Sequence, residues 1–132
     1  MKETIFRLEN PARVNTTFDA HAGNIAANHR YSGSGQGAVY GATSPETALA
    51  EMQYYGLSAG RVSVSRDVQI SNVLDLTSQA TRRELGMTLR DITGNSYVNT
   101  QRIGDWARTN GYNGILAPSA RHRSGANLVV FP

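Results

Sequence analysis

At 132 residues and 14.3 kDa, the chain is the size of one domain and long enough to bury a core. Its 39% apolar and 17% charged residues exclude a disordered chain, the lack of cysteine excludes disulfides and thiolate chemistry, and no apolar run approaches the ~20 residues that span a bilayer. The net charge of +3 comes from one lysine, Lys2, and twelve arginines, spread evenly against the acidic residues with no basic block. The start, MKETIFRLEN, lacks the apolar stretch of a secretory signal. Thr4–Glu9 places Ile5 and Phe6 among polar neighbours and reads as a first strand. Residues 10–36 are polar and rich in Asn, Gly and His, which predicts a long irregular segment with its glycine peak at Ser32–Gly37. Ala38–Ala42 is a short apolar strand. Ser44-Pro45-Glu46 is a helix start: a capping hydroxyl, a proline preset for the first helical position, and an acid at the positive end. Ala48, Leu49, Met52 and Tyr55 follow at helical spacing, with Gly56 or Gly60 as the stop.

Gly60–Ser65 alternates as a strand, and Val73, Leu74 and Leu76 suggest another. Thr77 or Ser78 is expected to cap a helix running to about Ile92. Asn99–Asn110 puts Ile103, Trp106 and Ala107 on one helical face, with Gly111 as its stop. Gly114–Ala117 and Leu128–Phe131 are apolar strands on either side of a loop. Helices and strands mix without strict alternation, so the expected class is α+β, with a mostly antiparallel or mixed sheet flanked by helices.

The common catalytic patterns HExxH, GxxxxGK[ST] and GxSxG are absent. His21, His29 and His122 lack ligand spacing, so no metal site is expected. Gly33, Gly35 and Gly37 lead into a strand rather than out of one into a helix, which reads as a tight turn and not as a dinucleotide loop. Glu51 lies on the second turn of the helix opened by Ser44. A solvated edge position is the ordinary reading, but the preceding strand holds Tyr40, and a strand–turn–helix unit brings such a pair to one cleft. Ser119 follows Pro118 after an apolar strand, where a plain turn is the simplest reading. Arg7 sits among apolar residues of the first strand, where a charge must face solvent or a partner.

Taken together and in order, these pieces resemble the RES domain family, the toxin half of bacterial RES–Xre toxin–antitoxin pairs. Phe6-Arg7 is similar to the aromatic–Arg of the family's first strand, and Arg30-Tyr31 stands where the family has Arg-Trp-Asn. Val39-Tyr40-Gly41-Ala42 resembles its V-Y-L-A strand, and Ser44-Pro45-Glu46-Thr47-Ala48-Leu49-Ala50-Glu51 its S-P-x-x-A-L-x-E helix start. Val73-Leu74-Asp75-Leu76 resembles an internal V-L-D-L strand. Pro118-Ser119-Ala120-Arg121 and Gly125-Ala126-Asn127-Leu128-Val129-Val130-Phe131 resemble the closing P-S-A-R…G-x-N-L-V-L-F. Tyr31-Ser32 departs from Trp-Asn.

The resemblance implies an ADP-ribosyltransferase-like fold in a single toxin domain over residues 1–132. It also implies cleavage of NAD+ at the nicotinamide–ribose bond by hydrolysis or phosphorolysis, with NAD+ as substrate and no cofactor or metal. Glu51, Tyr40 and Arg30 are then the candidate catalytic residues, and Arg7, Arg30, Tyr31, Tyr40 and Ser119 the candidate NAD-binding residues. A protein antitoxin or immunity partner is implied, with action in the bacterial cytoplasm and no membrane partner. The chain's end at Pro132 suggests a trimmed toxin domain, as at the C-terminus of a secreted effector. Two other readings stand beside this one. An ADP-ribosyltransferase acting on a macromolecule would often carry Glu or Gln two residues before the catalytic carboxylate, where this chain has Leu49. A non-enzymatic RNA-binding module would use the arginines and six tyrosines, but the even charge spread argues against nucleic acid.

Overall fold

The computed structural model describes residues 1–15, 30–33 and 36–132. Six strands form one sheet: β1 (Lys2–Glu9), β2 (Val39–Ala42), β3 (Val62–Gln69), β4 (Val73–Asp75), β5 (Gly114–Pro118) and β6 (Ala126–Val130), in the order β3-β1-β2-β6-β5-β4. All neighbours pair antiparallel except β4 and β5, which are parallel. Four helices accompany the sheet: α1 (Pro45–Tyr54), α2 (Gln79–Glu84), α3 (Leu89–Thr93) and α4 (Val98–Thr109). The expected α+β class with a mixed, mostly antiparallel sheet is therefore what the chain adopts.

Local signals account for most element ends. Ser44 caps α1 by accepting from the Thr47 backbone N–H at 3.1 Å, Pro45 takes the first helical position, and Gly56 turns the chain away in a left-handed conformation. The single helix expected from Ser78 to Ile92 is two short ones. Gly86, at φ +67°, ends the first, and Thr88 with Asp91 opens the second through a reciprocal capping box. The last helix begins at Val98 and stops before Gly111, and the last strand covers Ala126–Val130 rather than Leu128–Phe131. Of the long irregular segment, residues 11–13 form one 3-10 turn, while 16–29 and 34–35, with His21, His29 and part of the glycine run, lie outside the described residues.

The sheet separates two apolar layers. On the face covered by α4, Ile103 and Ala107 pack with Ile115, Ala117 and Val129, joined by Leu74, Leu76, Ile92, Tyr31 and Ala38. A smaller cluster of Ile5, Ile70 and Leu128 occupies the other face. β1 and β3 pair along their whole length, from Lys2↔Gln69 to Glu9↔Val62, but β1 and β2 share one registered pair, Phe6↔Ala42. Gly41 lets the two strands approach there, since a Cβ would stand 2.6 Å from that of Ile5. Around that pair, Phe6, Arg7 and Leu8 of β1 and Tyr40, Gly41 and Ala42 of β2 line a cavity.

Candidate functional site

That cavity measures about 280 Å³ and is bounded by β1, β2, α1 and the chain around Arg30 and Tyr97. Arg7, Arg30, Tyr31, Tyr40 and Glu51 all line it. Ser119 does not line it but lies buried beneath, bonded to Glu51. Six positions spread over more than a hundred residues thus converge on one place.

The carboxylate of Glu51 is held asymmetrically. Its Oε1 accepts from the Ser119 hydroxyl at 2.5 Å and from the Asn127 side-chain amide at 2.8 Å. Oε2 has no hydrogen-bond partner among the described residues. Ser119 has no freedom to turn away: its Oγ accepts the backbone N–H groups of Arg121 and His122, each at 3.1 Å, so its proton goes to Glu51. Asn127 stands in the closing G-x-N motif, but sequence reasoning gave it no role. Only the pairing of β2 with β6, Ala42↔Asn127, shows that it reaches the helix following β2.

The loop carrying Ser119 is attached to α1 a second time. Thr47 is fully buried, and its hydroxyl meets Ser44 Oγ at 2.9 Å and His122 Nδ1 at 2.7 Å. Thr47 and Glu51 are one helical turn apart on one face. Ser119 and His122 therefore grip the helix at both positions, which fixes the carboxylate relative to the sheet.

The tyrosines and arginines occupy different depths. The Tyr40 hydroxyl accepts from the Tyr31 backbone N–H and lies 3.1 Å from Ser32 Oγ. Burial raises the Tyr40 phenol above its ordinary range, so it remains a protonated hydrogen-bonding group at neutral pH. Arg30 donates through Nη1 to the carbonyls of Ile92 at 2.9 Å and Gly94 at 2.5 Å, where the C-terminal end of α3 favours a cation. Its guanidinium also stands 4.8 Å over the Tyr97 ring. Burial pulls the Arg7 guanidinium below its ordinary value; Glu9 opposes this and Arg61 adds to it. Arginine keeps its charge throughout.

Tyr31 contributes an oddity. Its side chain is buried, and its hydroxyl has no hydrogen-bond partner among the described residues. An unsatisfied buried hydroxyl costs about 1–3 kcal/mol. Tyr31→Phe is therefore expected to raise the melting temperature at pH 7 by a few degrees. Burial also raises the Tyr31 phenol well above its ordinary value of 10.0. A raised folded pKa means stability that is full below pH ~10 and lost as pH climbs through the folded value. Melting curves between pH 8 and 11 should fall less steeply for Tyr31→Phe than for the parent; a lower melting temperature at pH 7 would show that the hydroxyl is paired.

Among the described residues, no group of three or more His, Asp or Glu is placed to hold a metal ion. The architecture is an α+β mixed sheet flanked by helices, with a cavity that one carboxylate and two arginines line. The RES domain family matches this chain over residues 4–132, and the chain belongs to that family. It is 33% identical over 109 residues to a probable NAD(+) phosphorylase of Mycobacterium tuberculosis, covering 77% of this chain and 52% of that protein, so it spans about half the length of this curated relative. A chain from the crystal structure of the M. tuberculosis MbcT–MbcA toxin–antitoxin complex superposes with a TM-score of 0.79 at 26% identity, covering 98% of this chain and 74% of that one.

Proposed function

We propose that this domain is a toxin that breaks NAD+ at the nicotinamide–ribose bond, by hydrolysis or phosphorolysis. The observation that carries this reading is the Glu51 carboxylate, pinned through Oε1 and without a partner at Oε2 among the described residues, on the wall of a cavity that Arg7 and Arg30 also line. The family, the relative named as a probable NAD(+) phosphorylase and the neighbour from a toxin–antitoxin complex support it.

On this reading, the bonding pair of the nicotinamide–ribose bond leaves with nicotinamide, which departs neutral, and positive charge develops on the ribose, as in glycoside cleavage. Oε2 of Glu51 faces that charge and accepts from a ribose hydroxyl, while Ser119 and Asn127 keep the carboxylate from turning. Arg7 and Arg30 hold the pyrophosphate; Arg30, with Nη1 engaged by backbone carbonyls, offers its remaining donors. Tyr40 positions the Arg30–Ser32 segment through its hydroxyl, and Tyr31 closes the wall. The acceptor is water, which releases a proton as it attacks, or an oxygen of inorganic phosphate.

A transferase with a macromolecular acceptor is disfavoured because Leu49, an exposed apolar residue, occupies the position two before Glu51. The site of action is the bacterial cytoplasm, and a protein antitoxin or immunity protein restrains the enzyme. The test is incubation of the pure protein with NAD+, with and without phosphate, and identification of the products. Free ADP-ribose and ADP-ribose 1-phosphate distinguish the two acceptors. Unchanged NAD+ under both conditions would overturn the proposal.

A further inference from the structure

Tyr55, Tyr97 and Arg30 line the cavity, and beside Tyr55 lie Tyr54 and Arg121, next along the chain from the lining residue Ala120. Arg121 lies over Tyr54, its guanidinium carbon 3.3 Å from the ring centroid. Tyr54 meets Tyr55 edge-on, with centroids 5.0 Å apart and planes at 89°. Tyr55 and Tyr97 both line the cavity, and Arg30 stands over Tyr97. Three segments far apart in sequence meet here: the end of α1, the start of α4 and the loop after β5.

Two features of this region point to a ligand. Tyr55 is 52% exposed and lines the cleft, and the neighbouring Tyr54 is 55% exposed, which leaves a large ring open on the cleft wall. Arg121 covers Tyr54 but stands 5.9 Å from the centroid of Tyr55, so Tyr55 is the less covered ring. Arg121 is also under-used as a donor. Its Nε is buried without a hydrogen-bond partner, its Nη2 makes only a 3.5 Å contact to Asn95, and no acidic residue pairs with it among the described residues. A ring on the wall of a cleft that Arg7 and Arg30 also line, with the guanidinium of Arg121 5.9 Å from its centroid, suits a purine nucleotide. The ring stacks the base, and the guanidinium takes oxygens of the attached sugar and phosphate.

We propose that Tyr55 and Arg121 form the seat for the adenosine half of the dinucleotide, with the purine stacked on Tyr55. This inference rests on the NAD-cleaving reading above and goes further, because it makes the domain select the dinucleotide over nicotinamide mononucleotide. The mononucleotide carries the same scissile bond but has no adenosine to stack.

The test compares kcat/KM for NAD+ and for nicotinamide mononucleotide in the parent, Tyr55→Leu and Tyr55→Phe. Loss of one base–aromatic stack corresponds to a factor of about 5 to 150. The preference for NAD+ should narrow by that factor in Tyr55→Leu, through KM, and survive in Tyr55→Phe. Calorimetric binding of ADP-ribose needs no turnover and should weaken by a similar factor in Tyr55→Leu. An unchanged preference together with unchanged ADP-ribose affinity overturns the adenosine seat. Failure of the parent to consume either nucleotide would instead remove the NAD-cleaving reading, and ADP-ribose binding would still decide whether Tyr55 holds a purine.

Discussion

Glu51→Gln is expected to fold like the parent and to consume NAD+ about 100- to 1000-fold more slowly, the usual cost of losing a transition-state electrostatic partner. Glutamine keeps the shape of the side chain, and its amide oxygen still accepts from Ser119 and Asn127 when placed where Oε1 now lies. What disappears is the negative charge on the free side of the group. The loss should therefore appear in kcat, with KM close to the parent value. Ser119→Ala removes one of the two side-chain donors to Oε1 and leaves Asn127 in place, so its expected loss is smaller, about 10-fold, on the scale of a single charged hydrogen bond. Progress curves for NAD+ consumption, with circular dichroism to verify folding, decide the matter. Expression of the parent should also deplete cellular NAD+ and arrest growth, and Glu51→Gln should relieve both. A folded Glu51→Gln protein that consumes NAD+ at the parent rate removes Glu51 from the chemistry.

Gly125→Ala is expected to damage stability and activity together. A Cβ there would lie 2.0 Å from Thr47 Oγ1 and 2.8 Å from His122 Nδ1, at the point where those two atoms bond to each other. Neither has room to retreat. Thr47 is fully buried, and His122 belongs to the turn closed by the bonds from the Gly125 N–H to the His122 carbonyl and from the Ser119 N–H to the Gly125 carbonyl. Overpacking of this kind costs about 1–3 kcal/mol, or a drop in melting temperature of roughly 3–15 °C for a domain of this size. Because the displaced turn carries Ser119, kcat should fall as well. Gly60→Asn is the control: Gly60 has φ +73°, which asparagine tolerates, and nothing lies within 4 Å of its Cβ position. Gly60→Asn should melt within a few degrees of the parent. If Gly125→Ala does the same and retains full turnover, the two-point attachment of the loop to α1 is not what holds the site.

The parts of this protein legible in its sequence are those governed by neighbours along the chain. The start of α1 follows from Ser44, Pro45 and Glu46, whose capping, ring constraint and charge act within one turn. The stops at Gly56 and Gly111 follow from the left-handed conformation that glycine adopts without strain. The break between α2 and α3 was legible in the same terms, through Gly86 and the Thr88–Asp91 box, but the apolar spacing across it suggested one continuous helix.

Other features were decided only by the tertiary structure. The sheet order puts β1 between β3 and β2, and residues of β1 and β2 around their single registered pair line the cleft; no local signal encodes either. Resemblance brought Arg7, Arg30, Tyr31, Tyr40, Glu51 and Ser119 together, but it could not say that Ser119 lies beneath the cavity. Nor could it say that the Tyr40 hydroxyl turns toward the chain at Tyr31 and Ser32. Asn127 reaches Glu51 across 76 positions, and His122 reaches Thr47 across 75. Such pairs carry no periodicity, because a hydrogen bond depends on distance in space, and that distance is set by strand register. Residue types and their order along the chain identified the family; packing determined which oxygen of Glu51 is held by Ser119 and Asn127 and which has no partner among the described residues.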